Sequence, residues 1–237
     1  MLISIHIPKT AGTLLGYILD HGLGRRVLWD YSDDYSAAEN IQPELADHLD
    51  FIKIWFRGIH GHFFYSKWAA VFPDAKFITC LRHPVDRIIS QYKHDLADAL
   101  SGRRSWLHDP LGRGEMDIVD YVQMSPDIGR AMVNHLRGRD IKEYDFIFLT
   151  EDIEQGLEVF CKLFNFHRQD PFEHDVPFIN TSSAREIWLK NADPKIQSLF
   201  HVNDEQKRKL FDLIPEEVDL YQRATEHYNN VKKSVIG

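Results

Sequence analysis

Three short segments of this 237-residue chain hold the side chains best suited to binding or catalysis. The first is His6-Ile7-Pro8-Lys9-Thr10-Ala11-Gly12-Thr13. It follows an apolar, mostly β-branched run (Leu2, Ile3, Ile5, Ile7) and precedes Leu14, Leu15, Ile18 and Leu19, which recur at helical spacing. The order is strand, tight loop, helix. A helix starting near Gly12 turns its unpaired N–H groups and positive dipole end toward the loop, where an anion is stabilised. Gly12 allows close backbone approach, Lys9 brings a mobile positive charge, and Thr10 and Thr13 add hydroxyl donors.

The second segment begins at Lys76–Leu81, which reads as a buried parallel strand ended by Arg82-His83-Pro84, with Pro84 suited to the first position of a helix. Ile88, Tyr92, Leu96 and Leu100 then fall four apart, so a helix over 84–100 turns one face to the core. Arg82 thus sits at the carboxyl end of a strand, where open α/β sheets place their ligands, and Ser90 lies about two turns into the helix. A forked cation and a hydroxyl suit a second phosphate. The third segment is His60-Gly61-His62, after the strand-like run 51–56. Histidine is the commonest proton acceptor near neutral pH. Two histidines two apart on an extended chain also suit a metal, although no Cys, His or acidic cluster at ligand spacing accompanies them.

The loop is not the nucleotide triphosphatase pattern G-x-x-x-x-G-K-[ST], because Lys9 precedes Gly12. Its lysine-first order resembles the sulfotransferases that use 3′-phosphoadenosine-5′-phosphosulfate (PAPS), whose loop for the 5′-phosphosulfate reads roughly P-K-T-x-G-T-[ST]. Pro8, Lys9, Thr10, Gly12 and Thr13 match, with Ala11 at the free position; Leu14 departs from the usual hydroxyl residue. Arg82 and Ser90, eight residues apart, resemble the same family's grip on the ribose 3′-phosphate. The resemblance therefore implies a bisphosphorylated nucleotide, PAPS as sulfuryl donor and PAP as product, with no metal required.

His60-Gly61-His62 resembles the glycan 2-O-sulfotransferase branch, in which the second histidine is the general base. That implies His62 as base, His60 as a substrate-orienting or secondary residue, and Lys9 stabilising the departing phosphate oxygen. Less specific matches follow. Glu151 matches an acidic residue after a later strand, and residues 134–138 match a segment that shapes the acceptor side. Ser183 and Arg185 match a loop that closes over the nucleotide, or they belong to an N-cap cluster for the next helix. Val218-Asp219-Leu220-Tyr221 matches the end of the domain. The resemblance covers about residues 1–225.

The elements that must position these residues read as α/β: a three-layer fold with a central, mostly parallel sheet of four or five strands and helices on both faces. Strands are expected near residues 2, 52, 76 and 144. Thr150, Glu151 and Asp152 are placed to cap a helix whose inner face carries Leu157, Phe160, Cys161 and Phe164. Residues 126–137 read as helical, 101–125 (with Trp106, His108 and Asp109) as a mobile loop over the acceptor cleft, and 226–237 as a fraying tail.

With 43% hydrophobic residues the chain is expected to form one domain over 1–237. No apolar run approaches a bilayer span and no signal peptide is apparent, which reads as a soluble, cytoplasmic protein resembling a bacterial version of these enzymes. Cys80 and Cys161 read as free core thiols. The formal charge of −8, from 36 acidic and 28 basic side chains, argues against nucleic acid or a long polyanion as partner. The expected acceptor is a small molecule or a less charged glycan. Two other readings compete: a small-molecule or nucleotide kinase, which should carry the G-K-[ST] loop and an acidic metal ligand, and a non-catalytic bisphosphonucleotide-binding protein, which would not need His62.

Overall fold

The computed structural model describes residues 1–31, 35–102, 107–166 and 192–237. The chain divides into two compact units. One comprises the described residues of Met1–Arg82, Ala131–Val176 and Asp219–Gly237; the other comprises those of His83–Arg130 and Pro177–Val218.

The first unit is built on five strands: β1 (Leu2–Ile5), β2 (Val27–Asp30), β3 (Gly58–Gly61), β4 (Lys76–Leu81) and β5 (Phe146–Leu149). They form an all-parallel sheet in the order β2-β3-β1-β4-β5, with Ile3 in register with Ile59 on one side and Phe77 on the other. Every residue of β1, β3 and β5 is buried. Successive side chains point to opposite faces, so both faces of these strands are covered, as an all-parallel sheet requires. The chain runs from β1 out to the β2 edge, returns to β3, and crosses β1 to reach β4. That reversal makes the carboxyl ends of β3, β1 and β4 the place where such a sheet holds a ligand.

Strands β1, β4 and β5 lie where the apolar runs predict them. The strand expected near residue 52 does not: Leu49–Trp55 is a helix with only Ile52 buried, and Phe51, Ile54 and Trp55 are exposed. The strand is the next segment, β3, and β2 is an additional one. A short apolar run does not tell helix from strand by periodicity, and β3 hides behind two glycines. Its Gly61 is demanded by the neighbouring strand, since a Cβ there would lie 1.8 Å from the Asp30 carbonyl oxygen.

Thr150, Glu151 and Asp152 form a 3₁₀ turn ahead of the helix Ile153–Phe164, and none of them caps it by a side-chain hydrogen bond. Asp152 instead accepts from the Tyr228 hydroxyl at 2.8 Å and from Lys232 at 2.6 Å. Residues 226–237 are correspondingly no fraying tail: Pro215–Ile236 is one helix, and Ala224 and Tyr228 are buried in the sheet core. Cys80 is buried and Cys161 half-buried.

The second unit has its own core. Val85, Ile88, Tyr92 and Leu96 of the helix Pro84–Leu100 pack with Leu107, Leu111, Met116, Ile118, Tyr121 and Val122. Segment 101–125 is thus no mobile loop over a cleft in its described part. It contributes the helices His108–Gly112 and Ile118–Met124, the second begun by a capping box on Asp117. Trp106 lies outside the described residues. The expected 126–137 helix is broken at Arg130 into Pro126–Gly129 and Ala131–Leu136.

Candidate active site

After β1 the backbone turns sharply. Lys9 and Ala11 have φ of 70° and 60°, left-handed values that cost energy in residues other than glycine. Ala11 is the N-cap of the helix Gly12–Gly22 and offers no side-chain hydrogen bond, so the first N–H groups of this 11-residue helix are not capped by it. A strained loop ending at an N-terminus of this kind suits an anion. One expectation is corrected here. Thr10 is wholly buried and its hydroxyl donates to the Ile7 carbonyl at 2.8 Å, so the side chain ties the loop together and is not exposed as a donor. Thr13 and Leu14 are half-buried in the first helical turn.

The loop adjoins a histidine cluster. His6, at the end of β1, stacks on His60 with centroids 5.3 Å apart and lies tilted on His62 at 4.5 Å. Its Nδ1 is 2.8 Å from the Tyr31 hydroxyl. Burial, assisted by the neighbouring histidines, holds the His6 pKa well below its ordinary value. His60 is fully buried, with Nδ1 2.9 Å from Ser4 Oγ. Burial pushes its pKa down to about 3; the Gly12 backbone opposes that shift and His62 adds to it. The ring is sealed from solvent between the rings of His6 and Trp29. His62 is half-buried, and its ring lies 4.6 Å from that of Tyr31. Burial also raises the Tyr31 pKa.

Arg82 comes off the carboxyl end of β4, and its Nη1 donates to the Lys9 carbonyl at 3.5 Å. The Arg82 guanidinium therefore reaches the backbone of the Lys9 loop at the rim of one sheet. Ser90 is half-buried on the helix Pro84–Leu100 of the second unit. Ser183 and Arg185 lie outside the described residues. Glu151 accepts a hydrogen bond from Tyr221 at 3.0 Å, which ties the turn after β5 to the last helix. Among the described residues no set of three or more His, Cys, Asp and Glu side chains is arranged to hold a metal ion, and no helix is long and apolar enough to cross a membrane.

His6 and Tyr31 are the members of this cluster that sequence spacing missed. His6 was visible as a polar residue ending an apolar strand. Tyr31 follows a strand of four residues, too short to announce itself.

Residues 1–222 match the Sulfotransferase family, and the chain belongs to it. Membership makes the chain an enzyme and displaces the kinase and non-catalytic readings. Among solved structures, mouse sulfotransferase SULT7A1 complexed with PAP is similar at 14% identity, over 98% of this chain and 87% of that one, with a TM-score of 0.48. No curated protein sequence matches the chain.

Proposed function

We propose that this enzyme transfers a sulfuryl group from PAPS to a hydroxyl of a carbohydrate acceptor, with His62 as general base in the manner of the glycan 2-O branch. The observation that carries the reading is the meeting of three features at the carboxyl ends of adjacent strands. These are the strained Lys9 loop after β1, His62 after β3, and Arg82 after β4 with its guanidinium 3.5 Å from the Lys9 carbonyl. The residues fit the donor: an N-terminus without a side-chain cap and Lys9 suit the 5′-phosphosulfate, and Arg82 suits the 3′-phosphate. The whole chain is taken to act as one catalytic domain.

PAPS supplies, when bound, the sulfuryl group and a bisphosphate leaving group. His62 takes the proton of the acceptor hydroxyl as its oxygen attacks. Lys9 and the N–H groups at Gly12 and Thr13 meet the negative charge that develops on the departing phosphate oxygen. Positioning and electrostatics carry such a transfer, as they do in phosphoryl transfer. Calorimetry with adenosine 3′,5′-bisphosphate (PAP) and with ATP and magnesium tests the donor. PAP is expected to bind and ATP is not; the reverse overturns the reading. Transfer of labelled sulfate to acceptors tests the base, because His62→Ala should lower turnover about a hundredfold or more. Wild-type rates in that variant would remove His62 from the role.

A further inference from the structure

Beside the histidines lies a group of aromatic side chains that the proposed chemistry leaves unused. Trp29 on β2 and Tyr31 just beyond it are two residues apart on an extended chain, so they project to the same side. Their rings are near-parallel, with 22° between planes and centroids 6.1 Å apart, and the two residues are 41% and 42% exposed. Tyr17 meets the Trp29 ring edge-on at 6.0 Å. The inner end of the group touches the site. Trp29 stands edge-on to His60 at 5.5 Å, and the Tyr31 ring lies 4.6 Å from that of His62.

We propose that Trp29 and Tyr31 form the acceptor subsite, and that its occupant is the apolar face of an uncharged pyranose ring presenting one hydroxyl to His62. The proposal rests on the carbohydrate reading above and deepens it. Two large, adjacent aromatic rings left open to water mark a contact surface, and here the surface runs up to the candidate base. An aromatic face carries negative charge density, which attracts the polarised C–H groups on one side of a sugar ring. The surface is open, so a phenol lying on it would keep its second apolar face in water, whereas a pyranose turns a hydroxyl-bearing rim outward. A net charge of −8 adds no attraction for a polyanionic acceptor.

The test is steady-state kinetics with labelled donor on neutral pyranosides, a sulfated glycan and simple phenols, alongside PAP calorimetry. Wild type, Trp29→Ala and Trp29→Phe are compared. Phe51→Ala serves as control, since Phe51 is 55% exposed and stacks on Trp55 instead. Neutral pyranosides should be the preferred acceptors. Trp29→Ala should raise their KM about tenfold with little change in PAP affinity, Trp29→Phe should recover most of the loss, and Phe51→Ala should behave as wild type. An unchanged KM in Trp29→Ala overturns the subsite. So does an equal loss of PAP affinity, which would mark Trp29 as structural, or a preference for phenols or the sulfated glycan. A wild-type enzyme that binds PAP yet sulfates no pyranoside refutes the carbohydrate reading itself, and the subsite falls with it.

Discussion

The imidazole of His6 fills the space over Gly12: a Cβ at that position would lie 1.7 Å from His6 Cδ2 and 2.0 Å from Nε2. The glycine expected to let a phosphate approach the backbone is needed first for a side chain from the preceding strand end. The same ring contacts Tyr31, His60 and His62. The Lys9 loop and the histidine cluster are thus packed against one shared residue.

Gly12→Ala should therefore displace the His6 ring, destabilising the protein by about 1–3 kcal/mol as overpacking does, and weakening PAP binding. His6→Ala removes the obstacle. The double variant should be more stable than the sum of the single effects, with a coupling on the order of 1 kcal/mol. Thermal unfolding and calorimetry of the four proteins measure this, and strict additivity would contradict the packing argument.

Acid should destabilise the protein through the same cluster. His60 titrates near 3 when folded and His6 also lies low, whereas both approach the ordinary value of about 6.5 when unfolded. Between those values the unfolded chain binds more protons, so stability is highest at neutral pH and falls as pH drops below about 6.5, by up to about 1.4 kcal/mol per pH unit for each histidine. The melting temperature should decline between pH 7 and 5, and His60→Gln should flatten that slope. Parallel slopes for the two proteins would show that His60 titrates normally.

What the sequence revealed follows from how local each signal is. β1, β4 and the helix Pro84–Leu100 were legible because a continuous apolar run, or a stripe of residues four apart behind Pro84, states its period within its own length. β3 was not legible, since Gly58-Ile59-His60-Gly61 carries one aliphatic side chain and owes its glycines to chains arriving from elsewhere. A Cβ at Gly58 would lie 2.7 Å from Leu23 Cδ1. The candidate site divides in the same way. Lys9, Arg82 and His62 stood out by residue type and order, whereas the joint place of His6 and Tyr31 arises only when β1, β2 and β3 come into register.

Arg82 should discriminate between nucleotides. If it holds the 3′-phosphate, Arg82→Ala weakens PAP binding about tenfold to a hundredfold while affecting 5′-AMP far less, and Arg82→Lys restores little because a point charge does not replace a fork. Lys9→Ala should weaken both ligands. Calorimetry with the two nucleotides decides the matter, and equal losses for both in Arg82→Ala would detach Arg82 from the 3′-phosphate.

The last helix should prove structural along its whole length. Tyr228 is 1% exposed, its ring lies 6.1 Å from that of Phe146 on β5, and its hydroxyl donates to Asp152. Burial alone would raise the Asp152 pKa; the bonds from Lys232 and Tyr228 outweigh it and hold the carboxyl below its usual range. Most of the stabilisation should still come from the buried ring, because a partly exposed ion pair contributes little. Tyr228→Ala should then cost about 3 kcal/mol, Tyr228→Phe about 1 kcal/mol, and Lys232→Ala less than about 1 kcal/mol. Removal of residues 226–237 should cost at least as much as Tyr228→Ala. Urea denaturation orders the four variants, and a truncated chain with an unshifted midpoint would mean that the segment frays after all.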